Sequence, residues 1–253
     1  MLWALSAALL VTRELTADVK ITETIANTTA GRKRQGERVT FIKGLKMRVD
    51  TVLDGERIVR VYDVSAGKVM FLDAKHREAK VKDFAAIKAA AERKIRTRNV
   101  TTSMVPTGHQ KEFFGNVCEE HTFAIRVPLS KDAQIALLMT GTAWIARTAP
   151  GADEYVRFAK VASERGLELG GDSDNLILVA LAHAQTELYR MIGELRGVPF
   201  AIDTNIKFEK GALGALLNKV GSGTRISNVT ALSVEPISDH HFTVPDDWRT
   251  RMK

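Results

Sequence analysis

The sequence predicts an α+β protein built on an antiparallel β-sheet. Three observations lead there. Residues 37–75 (ERVTFIKGLKMRVDTVLDGERIVRVYDVSAGKVMFLDAK) read as four strands in a row joined by tight turns. Helical periodicity is confined to a few blocks. Strands follow strands by hairpins, rather than alternating with helices as a parallel sheet requires.

In chain order, residues 2–11 (LWALSAALLV) form an apolar run too short to span a bilayer. Thr16 and Ala17 supply small residues just beyond it. Residues 1–17 are therefore read as a signal peptide and 18–253 as one mature domain. The alternative is a buried N-terminal helix, since no Lys or Arg precedes the run and Arg13 and Glu14 follow it. Residues 19–29 alternate loosely as a first strand, and 30–36 (AGRKRQG) read as a basic loop. Within 37–75, Leu45, Met47 and Val49 alternate with Lys46, Arg48 and Asp50, the mark of a sheet wet on one face. Asp54-Gly55 suits a two-residue hairpin turn with positive φ at both positions.

Val81, Phe84, Ile87, Ala91 and Ile95 then fall at helical spacing. Strand character returns at 98–107 and 109–114. Two long alternating runs follow, 121–129 and 134–146, which look like paired central strands. Ala149-Pro150-Gly151 opens a second helical block on which Tyr155, Phe158, Ala159 and Ala162 share a face. A third block runs from Leu176 to Leu195, with Asp172 or Ser173 as its cap. Residues 198–209 and 225–235 read as the last strands, with GALGALLNKVGSG between them as a loop. The expectation is about ten strands and three helices.

The composition is that of a globular chain: 253 residues, 45% hydrophobic and 26% charged. The formal charge of +7 favours anionic partners. A single cysteine, Cys118, excludes an internal disulfide and a multi-cysteine zinc site. Cys118 and His121, with His109 upstream, are too few for structural zinc, and no base pairs with the thiol in the sequence. Adjacent residues on a strand point to opposite faces. Glu119-Glu120 therefore make a poor acid/base pair, and His240-His241 would not chelate together. His183 sits on an apolar helical stripe as a core histidine. Gly221-Ser222-Gly223-Thr224 lacks a phosphate-loop lysine and precedes a strand. No catalytic residue, metal site or cofactor is expected.

Basic residues gather around the first helix: Lys75, Arg77, Lys80, Lys82, Lys88, Arg93, Lys94, Arg96 and Arg98. Arg32, Lys33 and Arg34 form a second knot. Without a reader motif or interleaved aromatics, nucleic acid is not the expected partner. An anionic membrane surface touched by Lys88, Arg93 and Lys94 is the alternative to a merely solvated helix face.

Several landmarks stand in order along the chain: Ala17-Asp18-Val19, the run from Phe41 to Asp50 (FIKGLKMRVD), Gly115-Asn116-Val117-Cys118, Trp144-Ile145-Ala146, Ala149-Pro150-Gly151-Ala152 with Tyr155 and Phe158, Gly197-Val198-Pro199-Phe200, and Phe242-Thr243-Val244-Pro245. In these the chain resembles a family of exported bacterial proteins carried as a domain of unknown function, similar in fold to the outer-membrane lipoprotein carrier (LolA-like) superfamily. Asp247-Trp248 departs from it, standing where that family usually has Gly followed by Tyr. The resemblance implies a strongly curved antiparallel sheet, an incomplete barrel, with helices on its concave side. It implies no catalytic residues. It also implies a periplasmic, non-enzymatic protein that holds a lipid, a lipidated protein or another apolar molecule between sheet and helices. The residues expected to line such a cavity are Phe41, Met47, Val49, Val61, Met70 and Trp144 from the strands, and Phe84, Ile87, Tyr155 and Phe158 from the helices. The rival reading is an envelope interaction module with a filled core. The two part on whether the space under the helices is open.

Overall fold

The computed structural model describes residues 18–95, 99–129, 135–167, 169, 175–209 and 212–252, the side chains of 212 and 213 excepted. Residues 1–17, and with them the expected signal peptide, lie outside the described residues, as do Arg96, Arg98, Asp172 and Ser173.

Twelve strands form one sheet: β1 (Val19–Thr29), β2 (Arg32–Lys43), β3 (Lys46–Leu53), β4 (Glu56–Asp63), β5 (Lys68–Asp73), β6 (Glu78–Asp83), β7 (Thr101–Phe113), β8 (Asn116–Pro128), β9 (Ala136–Ala146), β10 (Val198–Phe208), β11 (Gly223–Val234) and β12 (Arg249–Met252). Their spatial order is β12, β6, β5, β4, β3, β2, β1, β11, β10, β9, β8, β7. Every pairing is antiparallel except β12 on β6. Among the described residues four α-helices interrupt the strands: α1 (Phe84–Lys94), α2 (Ala152–Glu164), α3 (Leu176–Glu194) and α4 (Ala212–Gly221). The fold class is therefore α+β, with an unclosed, curved sheet.

The curvature follows from one distance argument. In a flat sheet β4 and β9, six places apart, would stand about 29 Å from each other. Arg60 on β4 and Met139 on β9 nevertheless line one cavity beneath α3. The sheet must bend around the helices to bring them there.

Period-two burial sets the two faces. Val19, Ile21, Glu23 and Ile25 on β1 are all buried on the concave side. Across the ladders Ile21 pairs with Thr40, Thr40 with Val49, and Val49 with Arg60. α2 and α3 cover this face and complete the main core with Phe158, Leu188 and Ile192. Glu154 of α2, itself buried, accepts a 2.5 Å hydrogen bond from the Gly44 amide and so fixes that helix to the β2–β3 turn. On the convex face Val59, Val61, Leu72 and Ala79 form a second, smaller core. The C-terminal segment covers it with Ile237 and Phe242, and Phe41, Met70, Val244 and Trp248 pack at its margin.

Several expectations change. Residues 32–36 are strand rather than loop, because Ala30 and Gly31 at positive φ make the turn by themselves. The first helix begins at Phe84, not Val81, since Glu78–Asp83 pairs with β5. The cap of α3 is Asn175, whose Oδ1 accepts from the Ile177 (2.9 Å) and Leu178 (3.4 Å) amides. GALGALLNKVGSG holds helix α4, clipped to β10 by Asn218, which both donates to the Phe208 carbonyl and accepts from its amide at 2.8 Å. The runs expected as central strands, β8 and β9, lie next to the β7 edge.

Candidate functional site

A cavity of about 370 Å³ lies between the concave face and the helices. Its sheet wall comes from β1–β4 and β9–β11. Its other wall is Tyr155 of α2, Leu169, and Gln185, Leu188, Tyr189 and Ile192 of α3. Buried Ile21, Met47, Met139 and Ile192 line it in depth, while Ile58, 39% exposed, stands where it meets solvent.

Into this apolar space the strand alternation also points charged and polar groups. Arg38 forks onto Glu23 with two bonds of 2.7 Å. Glu23 is buried, so this pair replaces the water its carboxylate has lost. The Tyr62 hydroxyl donates to the Leu169 carbonyl at 3.2 Å, and Arg60 Nη1 reaches the same oxygen at 3.4 Å. The buried Nε of Arg60 and the buried hydroxyl of Tyr189 close no hydrogen bond of ordinary geometry, although Tyr189 packs against Tyr155 with ring centroids 5.4 Å apart. Burial pushes the phenols of Tyr62, Tyr155 and Tyr189 upward, so they remain protonated donors. Arg225, half-buried at the start of β11, has its pKa lowered by desolvation and by the neighbouring Arg38.

The ten residues read from the sequence as cavity lining divide three ways. Met47, Val49 and Tyr155 line the cavity. Phe41, Val61 and Met70 belong to the convex-face core, because they have the opposite parity on their strands. Phe158, Phe84 and Ile87 are packed in the main core away from the cavity wall, and Trp144 lies tilted against Phe113 with centroids 5.9 Å apart. Of the basic residues, Lys88 and Arg93 are exposed, whereas Lys94 is half-buried and already engaged. Arg93 and Lys94 sit in the last turn of α1, where cations suit the helix C-terminus.

Cys118 and His121 lie three residues apart on one strand and so face opposite ways. Burial pushes the thiol up to about 11. The ring of His241 stacks on Phe41 at 4.9 Å. Among the described residues, no three His, Cys, Asp or Glu side chains gather as a metal would require, and no helix is long and apolar enough to cross a membrane.

Sequence reasoning passes over Glu23, Arg38, Arg60, Arg225, Tyr62 and Tyr189. A signal is present for the first of them: Glu23 occupies the inward register between Ile21 and Ile25, where a charge needs a partner.

No family model matches the sequence, and no curated protein matches it. Solved structures similar to it include an uncharacterized conserved protein from Thermus thermophilus, with TM-score 0.43 and 7% identity over 94% of this chain and 92% of that one. They also include an outer membrane lipoprotein-sorting protein domain assigned in Vibrio parahaemolyticus, with TM-score 0.36 and 8% identity over 91% of each chain. A third is a DUF1329 family protein from Desulfovibrio piger, with TM-score 0.24 and 6% identity over 91% of each chain. These neighbours include the kinds of protein that the sequence resemblance named. At such scores they carry no argument about what this chain does, and the fold class rests on the sheet itself.

Proposed function

We propose that this chain is a non-enzymatic binding or carrier protein of the bacterial periplasm that houses an apolar ligand between its curved sheet and its helices. One observation carries the reading. The space under α3 is open, at about 370 Å³, where an interaction module with a filled core would have side chains. That volume is near the low end of the ~300–1,000 Å³ usual for ligand pockets, which suits a single alkyl chain better than two. The walls are mostly apolar, as such pockets are.

The test is native mass spectrometry of the protein beginning at Asp18, purified from periplasm, with solvent extraction of whatever accompanies it. A discrete co-purifying apolar mass is expected. Val49→Trp, which puts an indole into the cavity, should abolish both that mass and uptake of an apolar dye. Bare wild-type protein that also refuses the dye would overturn the reading and favour a protein partner.

Delivery to or from an anionic membrane is the companion proposal, with exposed Lys88 and Arg93 as contacts beside the partly engaged Lys94. Charge reversal of Lys88 and Arg93 should weaken binding to phosphatidylglycerol vesicles at low salt. Unchanged binding would remove these residues from the membrane surface.

A further inference from the structure

The cavity wall is not electrically neutral. Among the described residues it carries three guanidinium groups, Arg38, Arg60 and Arg225, against one carboxylate, Glu23, and no lysine, aspartate or histidine. Glu23 is consumed by its forked bond to Arg38. Arg60 is turned to the Leu169 carbonyl and lies over the Phe71 ring, 5.9 Å from its centroid. Arg225 remains. No described carboxylate pairs with it, and a neighbouring charge, Arg38, repels it. A half-buried cation beside another cation costs folding free energy, and nothing in the core requires a charge at that register. A serine or a threonine there would satisfy the strand equally well. The same wall holds the buried phenols of Tyr155 and Tyr189, which interact with each other. Excess positive charge lining an apolar chamber is complementary to one kind of ligand.

We propose that the ligand is a single-chain amphiphile with an acidic head, a carboxylate or a phosphate, which Arg225 binds while the alkyl chain runs inward past Met47, Met139 and Ile192. The inference rests on the carrier reading above and adds the ligand's charge to it. Arg225 is only half-buried on the cavity wall, whereas the apolar residues Met47, Met139 and Ile192 are buried. An amphiphile would enter tail first and leave its head against the guanidinium, where a forked, charge-assisted contact is available. Arg38 contributes its field without giving up Glu23.

Calorimetric titration with dodecanoate and with dodecanol separates the two claims. Dodecanoate should bind about tenfold or more tightly, the order of one charge-assisted hydrogen bond. Arg225→Gln should remove that preference while leaving dodecanol binding intact. The variant relieves repulsion with Arg38, so it should fold, and Arg225→Met provides a second one of similar length. Arg57→Gln, on the convex face and paired with Asp50, is the charge-matched control and should leave both affinities unchanged. Monoacyl glycerol phosphate taken up in preference to dodecanoate supports the proposal and sets the head as a phosphate. Equal binding of acid and alcohol overturns the acidic head and leaves the carrier reading standing. A preference that survives both Arg225 variants overturns the role of Arg225. If neither compound binds, the carrier reading falls as well.

Discussion

Glu23 and Arg38 show what the cavity demands of single side chains. The carboxylate is almost wholly withdrawn from water and the guanidinium about one-third exposed, so the pair sits between a surface ion pair and a buried one. Glu23→Gln takes from Arg38 its acid partner while the repulsion with Arg225 remains. A loss of about 1–3 kcal/mol is expected, less than for a fully buried pair because Arg38 still reaches solvent. Urea unfolding measures it, and adding Arg38→Met to the variant should recover most of the loss. Asp50 makes a pH-dependent counterpart on the convex face. Its burial opposes ionisation, but hydrogen bonds from Arg48 at 2.6 Å and Arg57 at 2.7 Å outweigh that and hold the carboxyl below its ordinary range. A lowered folded pKa gives stability that is present above the unfolded value of about 3.9 and lost as pH falls through the folded one. Asp50→Asn should therefore flatten the acid limb of stability below about pH 4. These residues are hard to read from sequence for a simple reason. Alternation marks which strand positions face inward, but not which inward charge on one strand meets which on the next. That needs the β1–β2 register, in which Glu23 lies opposite Arg38.

The elements are more legible where local chemistry and tertiary demand agree. Asp54-Gly55 makes its hairpin with φ of 50° and 82°, as that dipeptide favours. Phe114-Gly115 turns the same way, with φ of 49° and 75°, but its first residue carries no turn signal. α4 is hidden among glycines because its stability comes from outside it, through the Asn218 clip to β10. The C-terminal segment is the least legible. Phe41, Val61 and Met70 resemble cavity residues because apolar alternation on a two-layered sheet cannot say which layer is which. The structure buries them under Ile237 and Phe242, held in place where Lys43 donates to the Ile237 carbonyl at 2.7 Å. Phe242 is 2% exposed. Phe242→Ala should cost about 3–5 kcal/mol and expose the patch around Val61, visible as a lowered urea midpoint with dye binding to native protein. Since that patch is on the far side of the sheet from the cavity, dodecanoate affinity should hold in whatever fraction remains folded. Affinity lost in parallel with stability would mean that the two faces are coupled.

The sheet as a whole has two edges, β12 and β7, that never meet. Among the described residues no hydrogen-bonded seam joins them, so the curve depends on what fills the concave side. The cavity is bounded by Ile21, Met47 and Arg60 on one arm and by Met139, Ile202 and Thr204 on the other, with α3 across both. A ligand seated there touches both arms at once and should act as a strut. At a hundredfold excess over Kd, binding to the folded state alone adds about 2.7 kcal/mol. For a domain of this size that corresponds to a Tm higher by roughly 5–10 °C. Dodecanoate should produce the shift in wild-type protein and not in Val49→Trp. Hydrogen exchange should slow on β3 and on β10 together, although these strands are separated by three others in the sheet. Slowing on one arm alone would show a ligand held on one wall, and the open sheet would then owe its curvature to α2 and α3 without help from what the cavity carries.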